Sequence, residues 1–191
     1  IETINISSLH GLANLTSVDD LLLSELPALA SLSGLEGLTL VEGSLNIVDC
    51  DALVSMSGLD HVTEVGRQVS LTSLDSLVSL NGLQSLNSVE SFSLFENPAL
   101  ASLSGLENLT VVGELLVSNN DALIDLSALA NSSLSGRIYL KNNDSLGSLD
   151  GLDGTTEIDG DLFIEENDGL TSLSGLHNLT AVGGRVVIAN N

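Results

Sequence analysis

The sequence predicts a mostly-β, right-handed solenoid: eight coils of 23 or 24 residues, with parallel sheets, turns or short 3-10 segments at the corners, and no long helices. Three observations carry this. A Leu-x-Gly-Leu motif returns along the whole chain at nearly constant spacing. Each copy contains a Leu-x-Ile alternation of period two, the mark of a strand with one buried face. The chain is also apolar without being aromatic: of 191 residues, 43% are hydrophobic and 2% aromatic. A single core of this size normally draws bulk from Phe, Tyr and Trp. Here Leu, Val and Ile must fill many thin, repeated layers.

The register follows from the residue that opens Leu-x-Gly-Leu. The anchors are Leu9, Leu32, Met56, Leu80, Leu103, Leu126, Leu149 and Leu173, spaced by 23, 24, 24, 23, 23, 23 and 24. Most short coils lose a residue between the central Val and the Gly-x-Leu-x-Ile segment. The coil at Leu126 loses it earlier, where Ala128 also replaces the usual Gly. Residues 1–191 read as one repeat domain. Its ends fall in mid-repeat and carry no polar cap, which a solenoid terminus needs, so the expectation is a piece of a longer protein.

Each element of the coil has a reason. The anchor segment is too short and too Gly-broken for a long helix, so turns or 3-10 geometry are expected. The Gly column (Gly11, Gly34, Gly58, Gly82, Gly105, Gly151, Gly175) fits a corner where a Cβ would clash or φ is positive. Leu-Thr-x-Val is a short second strand. The main strand follows, with inward pairs such as Leu45/Ile47, Val69/Leu71, Ile138/Leu140, Leu162/Ile164 and Val186/Ile188. One coil cannot bury its apolar face alone, but stacked coils can. At roughly 4.8 Å between strands, eight coils make a rod of about 40 Å.

These residues resemble a known family. Leu-x-Ile-x-x-Asn-x-x-Leu followed by Leu-x-Gly-Leu-x-x-Leu-Thr-x-Val looks like the leucine-rich repeat in its receptor L-domain variant, over almost the whole chain. The resemblance implies extracellular recognition without catalysis. The chain departs from the receptor type in lacking cysteine-rich modules and most aromatic residues. That points to a microbial cell-surface protein.

Function has to be sought in columns of equivalent residues. Asn97, Asn120, Asn143, Asn167 and Asn191 are expected to point inward and bond the backbone of adjacent coils. Leu26, Cys50 and Leu74 hold the same place in earlier coils, with Cys50 as a small buried hydrophobe. The main sheet's outward column runs Leu22, Asn46, Ser70, Ser93, Leu116, Tyr139, Phe163, Val187. Its last four members are large and apolar. Beside it lie Phe95, Arg137, Lys141 and Arg185, which include three of the chain's four basic residues. Contiguous apolar surface with aromatic and Arg anchors marks a partner site. The expected partner-binding set is therefore Phe95, Leu116, Arg137, Tyr139, Lys141, Phe163, Arg185 and Val187, taking a protein or carbohydrate ligand on a cell surface. Two alternatives stand beside it. One is ice binding by the outward Thr column: Thr16, Thr39, Thr63, Thr110, Thr156 and Thr180. Against it, Glu64 and Glu157 interrupt the neighbouring column. The other is a passive stalk or spacer.

The remaining features exclude classes. A net charge of −22, from 26 acidic and 4 basic residues, disfavours nucleic acid and anionic membranes. No apolar run reaches transmembrane length, so no membrane insertion is expected. The lone Cys50 allows no internal disulfide. His10, His61 and His177 fall in different columns and pair with no nucleophile, and no phosphate or dinucleotide motif occurs. No enzyme activity, cofactor or metal is expected. The carboxylates around Asp159, Asp161, Glu165, Glu166 and Asp168 lack a strict Ca²⁺-loop pattern and read as solvated turns. Six Asn-x-Ser/Thr sequons occur, at Asn5, Asn14, Asn108, Asn131, Asn143 and Asn178.

Overall fold

Two strands per coil organise the chain in the computed structural model, which describes residues 5–191. In order they are β1 (Ser17–Val18), β2 (Leu21–Ser24), β3 (Leu40–Val41), β4 (Leu45–Val48), β5 (Glu64–Val65), β6 (Gln68–Thr72), β7 (Ser88–Phe95), β8 (Val111–Ser118), β9 (Ser133–Leu134), β10 (Ile138–Lys141), β11 (Glu157–Ile158), β12 (Leu162–Glu165), β13 (Ala181–Val182) and β14 (Val186–Ala189). Every pairing is parallel, coil on coil. The result is a right-handed parallel β-solenoid of about seven turns. Its only helical segments among the described residues are 3-10 turns at His10–Leu12, Ser127–Leu129 and Ser174–Leu176.

The inward positions are those the alternation predicts. Leu45, Ile47, Val69, Leu71, Ile138, Leu140 and Ile164 are fully buried. Val186 and Ile188 occupy the same places in the last coil but are 54% and 48% exposed, because no coil covers them. Of the three Phe residues, only Phe92 enters the core.

The longest strands differ from the short ones expected. In β7 and β8 the two strands of a coil fuse into eight residues. These coils have two residues between the inward Val and the next inward position, Val89 to Phe92 and Val112 to Leu115, where Val41 to Leu45 has three. In these two interior coils the corner straightens, whereas the first coil, with the same short spacing from Val18 to Leu21, keeps β1 and β2 apart. β7 and β8 thereby join the short strands and the main strands into one 12-stranded sheet.

The Gly column behaves as predicted at five places. Gly34, Gly58, Gly82, Gly105 and Gly151 have φ between +106° and +115°. A Cβ on Gly82 would collide with the Met56 carbonyl of the coil beneath. Gly175 lacks the positive φ but meets the Leu149 carbonyl in the same way, and Gly11 has open space around it. Ala128, which replaces the glycine in its coil, lies in the 3-10 segment Ser127–Leu129.

Two further devices close the corners. The residue after each main strand is left-handed: Glu25, Asp49, Ser73, Glu96, Asn119, Asn142, Glu166 and Asn190, with φ between 52° and 59°. Half of these are Asn or Asp, the non-glycine residues that best tolerate this region. The Asn column then satisfies the buried backbone. Asn97, Asn120, Asn143 and Asn167 are fully buried. Each Asn accepts the backbone N–H of its counterpart one coil earlier, as Asn120 Oδ1 does from Asn97 at 3.2 Å. Its Nδ2 donates to the earlier coil's strand, as Asn120 does to the Leu94 carbonyl at 3.1 Å. Asn143, the acceptor residue of one sequon, is itself fully buried at this corner.

Candidate partner-binding face

The main sheet brings the outward column together in the register read from the sequence. Leu116 faces Tyr139, Tyr139 faces Phe163, and Phe163 faces Val187. Parallel pairing with one residue of each strand per rung makes this a continuous row at strand spacing. All four side chains are half-buried. Tyr139 and Phe163 meet edge-on, with centroids 6.0 Å apart and planes at 63°. The Arg185 guanidinium lies over the Phe163 ring, 5.2 Å from its centroid. Both geometries are favourable for rings with a negative face and positive edge.

The flanking column carries alternating charge: Glu114, Arg137, Asp161, Arg185. Asp161 Oδ1 accepts the Arg185 backbone N–H at 2.7 Å, and Oδ2 lies 3.6 Å from Arg185 Nη2. That backbone bond, then the nearby Arg185 and Arg137 charges, hold the Asp161 carboxyl below its ordinary range. Asp20 holds the same column position in the first coil and does the same to the Ser44 N–H, also at 2.7 Å. The column's aspartates are thus corner acceptors first and ion-pair partners second. On the other side, Lys141 pairs with Glu166 at 3.3 Å, and that hydrogen bond raises the ammonium pKa. Phe95 stands apart from the row. It lines up with Thr72 and Ser118, and buried Ser118 separates it from Lys141 in that column. Of the predicted set, Leu116, Tyr139, Phe163, Val187 and Arg185 therefore form one patch, flanked by Arg137 and Lys141.

The Thr column is occupied with backbone bonding. Thr39 donates to the Thr16 carbonyl at 3.1 Å, Thr63 to Thr39 at 3.3 Å, Thr110 to Asn87 at 3.1 Å and Thr180 to Thr156 at 2.9 Å. Ser132, in the same column, donates to the Leu109 carbonyl at 2.6 Å. The Thr side chains remain exposed.

Ser8 Oγ and His10 Nδ1 lie 2.5 Å apart, both exposed. The contact belongs to a turn repeated along the rod: Ser31 with Ser33, Ser55 with Ser57, and Ser102 with Ser104 bond identically, with a serine in the histidine's place. His61 Nδ1 contacts the Glu36 carbonyl, and His177 Nδ1 lies 3.5 Å from Asp153. Burial raises the pKa of the Cys50 thiol, so it stays protonated and unreactive at neutral pH. Among the described residues no group of three or more His, Cys, Asp or Glu could hold a metal ion, and no helix is long and apolar enough to cross a membrane.

Two surface features escape the column reading. Val54, Val78 and Ile124 are 49%, 52% and 55% exposed. They form an apolar ridge joined by backbone bonds, Val78 to Val54 and Ile124 to Ala101. The sequence signal was present: each follows the inward Leu of its coil. The second feature is a concavity of about 340 Å³ beside the short strands, between Glu64 and Gly113. Nothing in a column of residue types announces it. The chain matches no protein-family model, no curated protein and no solved structure.

Proposed function

We propose that this chain is a non-enzymatic, extracellular recognition or adhesion module. It binds a protein or glycan partner through the outward face of its main parallel sheet. Its repeat is of the leucine-rich, receptor L-domain-like type, in a microbial cell-surface protein. The observation that supports the reading is the row Leu116, Tyr139, Phe163 and Val187, with Arg185 stacked on Phe163. The rings hold each other in place, so little side-chain entropy is lost on binding. Aromatic and Arg side chains held this way are the usual anchors of an interface.

The test is a paired substitution. Wild-type chain and Tyr139→Ser/Phe163→Ser are compared on glycan arrays and on microbial and host cell surfaces. Both rings are half-exposed, so the double variant should keep its fold by circular dichroism. Binding should fall by about 30-fold or more, the effect of losing one hot spot. A wild-type ligand retained by the double variant would remove this face from consideration. Absence of any wild-type ligand would leave the rod as a spacer.

A further inference from the structure

We propose that the concavity over the short strands is a binding site for a small organic ammonium ion. It lies away from the aromatic row and stands on separate observations. Its volume of about 340 Å³ falls in the range of small-ligand sites. The cause is a step in register. β5 pairs with β7 only through Glu64 and Ser88, an offset of 24 residues, whereas Gln68 pairs with Ser91, an offset of 23. One residue of the earlier coil, in the Gly66–Arg67 corner, is left over, and β7 runs straight past it. Gly113 packs on the Glu90 backbone, so the next coil puts no side chain there, and in the earlier coil the exposed Arg67 accepts the Ser91 N–H at 3.0 Å through its carbonyl.

The lining selects the ligand class. Val65 and Val89 are buried and form the floor, while Val111 is 50% exposed at the wall. Glu64 and Glu90, both exposed, line the same opening together with Ser88. An anion would be repelled. A bare Ca²⁺ ion needs six to eight oxygen ligands and would find apolar walls. An alkylammonium satisfies both halves: its head meets the carboxylates and its chain covers the exposed Val111.

The experiment is an NMR titration of the full 191-residue chain with n-butylammonium, with n-butanol and butyrate as neutral and anionic counterparts. Saturable shifts confined to Glu64, Ser88, Glu90 and Val111 are expected with the ammonium alone. Glu64→Gln/Glu90→Gln should weaken binding by about tenfold or more. Glu157→Gln, in the Glu64 column but outside the concavity, should leave it unchanged. Three results would each overturn the proposal: non-saturating shifts spread over all acidic turns, equal binding of butanol, or an unaltered affinity in a folded Glu64→Gln/Glu90→Gln variant.

Discussion

Replacing Asn120 with Leu tests how the rod is held together. Leu is close to Asn in length, and the column already accepts it at Leu74. Asn120 Oδ1 accepts the Asn97 backbone N–H at 3.2 Å and Asn97 Nδ2 at 3.1 Å. Its Nδ2 donates to Leu94, Ser118 and Asn143 at 3.1, 3.0 and 3.3 Å. Most of these partners have a second bond. Asn97 Nδ2 keeps the Leu71 carbonyl, the Ser118 carbonyl keeps the Glu96 N–H, and Asn143 Oδ1 keeps the Asn120 N–H. The Asn97 backbone N–H loses its acceptor in a fully buried corner. An orphaned buried donor costs about 1–3 kcal/mol, and each remaining lost bond a fraction of that. The sum is about 2–4 kcal/mol, or a fall in Tm of about 5–15 °C for a chain this long. Urea unfolding and amide exchange at Asn97 measure both halves. Asn191→Leu is the control: its partner Asn167 N–H sits beside an exposed end where water can replace the amide, so less than about 1 kcal/mol is expected. If Asn120→Leu stays within about 0.5 kcal/mol of wild type with unchanged Asn97 exchange, the ladder is not what satisfies this corner.

Other substitutions probe single features. Thr155 Oγ1 is buried with no hydrogen-bond partner, at a position where most coils carry Leu. Thr155→Val keeps the shape and removes the unpaired hydroxyl, so it should stabilise by about 1 kcal/mol or more in urea unfolding; a loss of stability would mean the hydroxyl is satisfied in solution. Gly82→Ala forces a Cβ into the Met56 carbonyl at a φ of +115° and should cost about 3 kcal/mol or more. Gly11→Ala, with open space around it, should change the midpoint by less than about 0.5 kcal/mol; similar losses at both sites would contradict the close-approach argument. Asp161→Asn concerns pH. The native carboxyl titrates below its ordinary value of 3.8, so its contribution is complete above that pH and lost as pH falls through the lower native value. The wild-type advantage over Asp161→Asn should shrink on acidification, and a gap that widens toward acid would reverse the assigned sign.

The outward row was legible because two regularities act on it together. Period two fixes which residues of a strand point out, and the equal offsets of 23 or 24 residues place them on neighbouring rungs; the pairing Tyr139 with Phe163 follows from those alone. The Gly column was legible where positive φ demands it, and failed at Gly11, which the first coil leaves uncovered. The left-handed corner was hidden. Glu25, Ser73, Glu96 and Glu166 give no local sign of it, since the stacked strands impose the conformation against their preference. The concavity was hidden for another reason. The differing coil lengths are visible in the sequence, but whether a spare residue bulges outward or opens a notch depends on the backbone path.

The same corners explain why so acidic a chain makes its few cations informative. Many carboxylates are backbone acceptors. Glu36, Asp60, Glu107 and Asp153 each receive the N–H of the glycine two residues earlier, with Gln84 doing so in the intervening coil. Its own backbone N–H, and then the Gly34 N–H, hold the Glu36 carboxyl below its ordinary range. Asp20, Asp125 and Asp161 accept other corner amides. Lys and Arg are donors only, so the repeat has no such place for them. Acidity is therefore in part a property of the scaffold and says little about a ligand. Arg137, Lys141 and Arg185 answer no requirement of the coil, yet these three of the four basic residues flank the row Leu116, Tyr139, Phe163 and Val187. Scaffold chemistry accounts for these corner carboxylates; it does not account for that placement, and this is the reason to look for a partner there.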